Sequence, residues 1–437
     1  MSDLEKRLEE WIKAYSINGY LNGSILVAYK GEILVNKGFG KANWEHQVSN
    51  RPDTKYRIGS ITKGFTAMAI YQLYEQKKLE LDDPISKYLP YFPNGNNFTV
   101  YHCLTHTSGV ANFTSFDEFW MKTMRLPSSL KETIDSFKNN ALVFEAGTHF
   151  EYSNSGYLLL TAIIEVVSGK TYAEYLQEKI FSPLGMKNTG CDNGIDIVPD
   201  LAMGYSYNGK PIHSAYADLS FPLGAYGLYS TIEDLYIWDQ AIQNSVLVSE
   251  SATEKMLTPY LESYACGWSV SPTLGKKCFS HFGDISGYAN DIIRFSEDQL
   301  TIIFLSNMNI TPVSILTREI AKVIFNHNYV LPAPLEPRKV NDIPFISGRY
   351  ICDKSENVFW ELTKEGNEYF ITLPKRYNVL YKFKLIPIEQ GEKNIIFKTE
   401  MINELLEITY LNNIVQVVRY TDYENKTNQY KKVSDFS

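Results

Sequence analysis

The alternation of apolar and polar positions changes period several times along this chain, and each change predicts a different kind of element. Residues 4–15 carry apolar side chains at helical spacing among charged ones, which predicts an amphipathic helix. Residues 23–29 and 32–36 are strand-like runs on either side of Lys30-Gly31, the pattern of a hairpin turning at that dipeptide. A loop then ends at Tyr56-Arg57-Ile58. After it, Phe65, Ala67, Met68, Ala69, Ile70, Leu73 and Tyr74 make a helix with little polar face, which must be deeply buried. Residues 79–90 open a long, largely helical stretch that includes 99–109, 157–168 and 172–180. Ser230 or Thr231 caps another helix. Strand patterns return at 266–270, 278–281, 289–295 and 300–306, and 315–325 reads as a closing helix. Strands at both ends with helices between them point to one sheet built from distant segments, with a helical insertion.

Pro332, Pro334, Pro337 and Pro344 mark a linker over residues 331–344. Beyond it come short alternating strands at 359–362, 369–373, 380–388, 395–397, 407–410 and 415–420, which predict an antiparallel meander or small barrel. The expected division is therefore an α/β domain over 1–330, the linker, and a C-terminal β-barrel domain over 345–437. A chain of 437 residues exceeds the size of one core, which fits two domains. That barrel carries no evident catalytic constellation. Its attachment prompts the expectation that it caps the cleft and limits substrate length.

Composition narrows the partners. Hydrophobic residues at 44% and charged ones at 21% are ordinary for a soluble globular protein. An aromatic share of 14% suits aromatic-lined clefts and β-rich parts. The net charge of −8, with no basic run beyond two residues, argues against nucleic acid and an anionic membrane. No stretch of eighteen apolar residues is present, so no transmembrane segment is expected. The charged start does not resemble a signal peptide, so a cytoplasmic location is expected, or a periplasmic or extracellular one if a leader has been removed. Cys103, Cys191, Cys266, Cys278 and Cys352 are scattered, without C-x-x-C spacing, and read as free thiols.

Chemistry concentrates at Gly59-Ser60-Ile61-Thr62-Lys63. A serine and a lysine three residues apart share one face of a helix. The positive end of the helix dipole favours developing charge on a serine in the first turn. A lysine held out of water loses pKa and can act as a base, so the pair makes an activated nucleophile without a histidine. Ser128-Ser129-Leu130-Lys131 has the same spacing, but Ser129 and Glu132 read there as a capping box. Tyr152-Ser153-Asn154 precedes a second apolar helix. Y-x-N occurs five times, so the motif alone says little, but a phenol beside a lysine can relay a proton. A buried tyrosine and an N-cap asparagine are the plainer alternative. His281-Phe282-Gly283-Asp284 occurs once. Its glycine lets a substrate approach a strand edge, where a backbone N–H can meet an oxyanion. A lone histidine at a strand end is otherwise more often structural.

In this order and at this wide spacing, S-x-x-K, Y-x-N and H-x-G resemble the serine β-lactamase and penicillin-binding-protein superfamily. Leu104-Thr105-His106-Thr107-Ser108-Gly109, Ser153-Asn154-Ser155-Gly156-Tyr157 and Pro183-Leu184-Gly185-Met186 add to the likeness. So does Gly227-Leu228-Tyr229-Ser230-Thr231. The similar branch holds class C β-lactamases, D-aminopeptidases, alkaline D-peptidases, family VIII-type esterases and low-molecular-mass penicillin-binding proteins. The resemblance implies a β-lactamase-like α/β sandwich followed by a lipocalin-like barrel. It also implies Ser60 as acylated nucleophile, Lys63 as its base and Tyr152 as proton relay. Asn154, His281, Gly283 and Asp284 would bind substrate, with the N–H groups of Ser60 and Asp284 as oxyanion hole. Neither metal nor organic cofactor is implied.

At the third motif the chain departs from that pattern. His281 stands where many relatives have lysine, and Phe282 where a hydroxyl residue is usual. Losing a charge-assisted hydrogen bond of about 1.5–3 kcal/mol weakens carboxylate substrates by one to two powers of ten. The expectation is therefore an acyl-enzyme serine hydrolase for an ester, an amide or a D-amino-acid-containing peptide, ahead of a true β-lactamase. The rival is a penicillin or peptidoglycan-fragment binder that does not hydrolyse. G-x-S-x-G and H-E-x-x-H are missing, which removes the α/β-hydrolase elbow and the zincin site. Phe113, Phe116, Phe119 and Trp120 read as a helix core stripe rather than a substrate pocket.

Overall fold

The computed structural model describes residues 2–352 and 355–435. Ser2 caps helix α1 (Asp3–Ile17) through a capping box with Glu5. Strands β1 (Gly23–Tyr29) and β2 (Glu32–Phe39) form the expected hairpin, with Lys30 and Gly31 at φ 51° and 83°. A short 3₁₀ turn, Gly59–Ile61, leads into α2 (Thr62–Glu75), which is buried on every side from Thr62 to Leu73. Only a helix without a solvent face has that composition.

The region after α2 is less helical than its sequence pattern predicts. Residues 76–99 contain one 3₁₀ turn, Ile85–Lys87, and bends. Helix Tyr172–Leu176 runs into a π-turn at Gln177–Phe181. The firm elements are α3 (Asn154–Ser168), ended by Gly169 at φ 71°, and α4 (Ile232–Gln243), capped by Thr231. Strands β3 (Ser269–Thr273), β4 (Lys276–Ile285), β5 (Tyr288–Phe295) and β6 (Leu300–Ser306) follow, then α5 (Val313–Ile324).

All six strands join one antiparallel sheet in the order β3-β4-β5-β6-β1-β2. The register pairs Ser24 with Leu305 and Tyr29 with Leu300, so the first strand lies beside the last. Leu8, Trp11, Ile293 and Ile320 share a core on one face with α1 and α5. Phe65, Leu158, Trp238 and Ile292 share the other, with α2, α3 and α4. The result is a sandwich whose helical insertion enters between β2 and β3.

Beyond the linker, eight strands close a barrel in sequence order: β7 (Gly348–Cys352), β8 (Ser355–Glu365), β9 (Glu368–Pro374), β10 (Leu380–Gln390), β11 (Asn394–Thr399), β12 (Leu405–Leu411), β13 (Ile414–Thr421) and β14 (Thr427–Ser434). The sequence pattern identified six of these. The two it missed, β7 and β14, pair with each other and abolish the edges. Tyr205, Tyr207, Met308 and Ile310 of the α/β part belong to the same apolar cluster as the barrel interior. All five cysteines are free. No helix among the described residues is long and apolar enough to cross a membrane.

Candidate active site

Ser60 lies in the 3₁₀ turn immediately before α2, so Lys63, the second residue of the helix, projects beside it. The Lys63 Nζ is fully buried. It sits 3.0 Å from Ser60 Oγ, 2.7 Å from Asn154 Oδ1 and 2.8 Å from the Ala225 carbonyl oxygen. Burial holds its pKa well below the usual lysine value, with the Asp284 carboxylate a weaker opposing influence. A neutral amine has two hydrogens, and the two carbonyl oxygens can only accept them. Its lone pair is then left for the Ser60 hydroxyl.

Tyr152 reaches this group from the residues just before α3. Lys63 Nζ stands 4.7 Å from the centre of the Tyr152 ring. Burial raises the phenol pKa, and interaction with the Ser60 side chain works against that rise. Ser153, not Asn154, occupies the N-cap position of α3. Asn154 is free to bridge, accepting from Lys63 and donating through Nδ2 to Thr114 Oγ1 at 3.0 Å.

The strand β4 closes the other side. A methyl group built on Gly283 would lie 2.0 Å from the Ile58 carbonyl oxygen and 3.0 Å from the Ser60 nitrogen. One built on Gly59 (φ +55°) would lie 2.5 Å from the Asp284 nitrogen. Two backbones can touch here only because both residues are glycine. The N–H groups of Ser60 and Asp284 therefore belong to one junction.

His281 is 6% exposed, and its ring centre lies 6.5 Å from that of Tyr152. Burial first, and Lys63 second, push its pKa down to about 3. In the neutral ring Nδ1–H donates to the Phe282 carbonyl at 2.6 Å. Nε2 then accepts from the Tyr264 hydroxyl at 2.9 Å. His281 thus offers the cleft no positive charge.

Ser60, Tyr152, Asn154, His281 and Asp284 line one cavity of about 740 Å³. Phe119 and Trp120 are on its wall, so the aromatic run after Ser108-Gly109 is only partly the core stripe its spacing predicts. Phe113 and Phe119 are buried while Trp120 is 58% exposed. Three contributors escaped sequence reasoning. His106, at φ 58°, accepts the Ser153 N–H on Nδ1 at 3.1 Å and lies 4.2 Å from the Tyr152 ring. Its signal was present in Thr105-His106-Thr107-Ser108-Gly109. Tyr264 and the barrel pair Arg376-Tyr377 had none, because only tertiary structure brings them to the cleft.

A family model described as Beta-lactamase matches residues 8–323. Penicillin-binding protein PbpX of Bacillus subtilis (strain 168) is 35% identical over 311 residues, 69% of this chain and 76% of that protein. Teichoic acid D-alanine hydrolase of Staphylococcus aureus is 30% identical over 287 residues, 64% of this chain and 70% of its own length. An octameric penicillin-binding protein homologue from Pyrococcus abyssi superposes with a TM-score of 0.67 at 28% identity. That match covers 98% of this chain and 100% of the other, barrel included.

Proposed function

The chain belongs to the β-lactamase family, and from that premise we propose that it cleaves an ester or amide through an acyl-enzyme on Ser60. Family membership makes it a serine hydrolase; the roles of individual residues and the substrate are our reading. Ser60 Oγ attacks the carbonyl carbon while its proton passes to neutral Lys63. The N–H groups of Ser60 and Asp284 receive the oxyanion. Tyr152 relays the proton to the leaving group. Water then attacks the acyl carbon, with the same groups moving its proton in reverse.

One observation carries this: the buried Lys63 Nζ lies within hydrogen-bond distance of the Asn154 and Ala225 oxygens and of Ser60 Oγ at once, so that a neutral amine giving its two hydrogens to the first two has its lone pair left for the third. A surface or core lysine has no reason to be held in that way.

Within this chemistry we favour D-aminoacyl esters and amides over β-lactams. The staphylococcal relative, named teichoic acid D-alanine hydrolase, supports that choice. The test is a panel of p-nitrophenyl esters, D-aminoacyl amides and nitrocefin on wild type and Ser60→Ala. Turnover of the first two groups that vanishes in Ser60→Ala is expected. Turnover surviving in Ser60→Ala, or a stable penicillin adduct with no turnover of any substrate, would overturn the reading.

A further inference from the structure

The hairpin joining β9 to β10 leaves the barrel and enters the cleft as a turn, Arg376–Asn378. Arg376, Tyr377, Val379 and Tyr381 all line the cavity that contains Ser60. The turn is anchored on both sides of Arg376. Lys375 pairs with the buried Glu404 carboxylate and donates to Tyr420 at 3.1 Å. On the other side Tyr377, at φ 56°, interacts electrostatically with the Asp284 carboxylate through its phenol. A left-handed tyrosine costs backbone energy and persists only where surrounding contacts demand it.

Between these anchors the Arg376 guanidinium lies 3.6 Å from the centre of the Phe282 ring. Phe282 adjoins His281 on the strand edge. The guanidinium is stacked and exposed, and no carboxylate among the described residues lies within ion-pair distance of it. Aromatic stacking satisfies the flat faces of a guanidinium and leaves its N–H edge free. That edge presents a planar fork of donors suited to a carboxylate. Asp284 is the acid nearest in influence. Burial raises its pKa, and Arg376 first and Tyr377 second work against that rise, yet no Asp284 oxygen lies within ion-pair distance of the guanidinium.

We propose that Arg376, supplied by the barrel, is the residue that reads a substrate carboxylate beside His281, making it the specificity determinant of this hydrolase. The cation missing from the third motif is returned to the cleft from a different part of the chain. The preferred substrate is then an aminoacyl ester or amide whose leaving group bears a free carboxylate. This deepens the acyl-enzyme reading and rests on it.

Two N-acyl-D-alanyl depsipeptides, identical except that the leaving group ends in a carboxylate or a carboxamide, provide the test. The quantity read is the ratio of kcat/KM for the pair. Wild type should favour the carboxylate, and Arg376→Ala should lower the ratio by about 10- to 100-fold. Arg376→Glu should reverse the preference toward a leaving group that ends in an ammonium. Arg376→Gln reads the same ratio should the alanine variant misfold. A ratio that does not move in folded variants, with Ser60-dependent turnover intact, overturns the role of Arg376 alone. If folded wild type hydrolyses neither depsipeptide yet turns over the p-nitrophenyl esters through Ser60, this proposal falls and the acyl-enzyme reading stands.

Discussion

An amine sealed from water, with two hydrogens committed to carbonyl oxygens, works as a base only while it is neutral. The lowered pKa of Lys63 sets the sign of the pH dependence. The rate should rise with pH as Lys63 loses its proton and level off well below the ordinary lysine range. It should fall as acid restores the ammonium. His281 has the pKa usually blamed for such an acid limb, but burial moves it to about 3, out of the working range. His281→Asn should therefore keep the acid limb of the kcat/KM profile even if the plateau drops. Loss of the limb would assign it to the imidazole. Lys63→Met, similar in volume but without the amine, should lower kcat/KM by about 10²- to 10⁴-fold with an unchanged far-UV circular dichroism spectrum. Ser60 and Lys63 were legible because a three-residue spacing ahead of a mostly apolar helix sets them side by side, even with Ser60 in the 3₁₀ turn before α2. Asn154 was legible by order and likeness, but its hold on Lys63 was not, since 91 residues separate the two.

At the scale of elements, the site is a contact between the start of α2 and strand β4, and its closeness depends on two glycines. A Cβ on Gly283 would sit 2.0 Å from the Ile58 carbonyl oxygen, which is backbone and cannot rotate aside. Gly283→Ala should force the strand away from Ser60 and spoil the donor pair. Mutations of single oxyanion donors elsewhere cost about 10²- to 10³-fold in kcat, and a similar loss is expected here. Folding should be judged separately, by thermal unfolding, because a variant that melts far below wild type would make the loss uninformative about geometry. The H-x-G pattern announced a close approach without saying to what. Other elements show the same limit. Six barrel strands alternate cleanly, but β7 and β14 are read less easily, one short and the other polar and largely exposed. The stretch 76–99 is rich in apolar residues yet folds mostly as turns, since Leu79, Leu81, Ile85, Leu89 and Phe98 reach the core from irregular backbone.

Across the whole molecule, the linker at 331–344 invites the view that the barrel could be removed to leave a working hydrolase with broader specificity. The packing opposes that view. Tyr207 is 2% exposed, stacks on Phe383 with ring centres 5.7 Å apart and hydrogen-bonds Glu400 of the barrel. The Gly209 N–H donates to the Lys382 carbonyl at 2.6 Å. Met308 and Ile310 join the same cluster. Truncation after Leu331 would turn these buried side chains out to water as one contiguous apolar patch, the usual origin of aggregation. The truncated chain should therefore elute as aggregate in size-exclusion chromatography and melt well below the full chain. Tyr207→Ala probes the same junction within the intact protein. Removing a buried aromatic ring costs about 3–5 kcal/mol, so a loss of several degrees in Tm is expected. Because Tyr381 and the Arg376–Asn378 turn belong to the barrel wall that this junction supports, the variant should also relax leaving-group discrimination. A truncated chain that stays monomeric and melts within a few degrees of the full one would show instead that the barrel is an independent attachment.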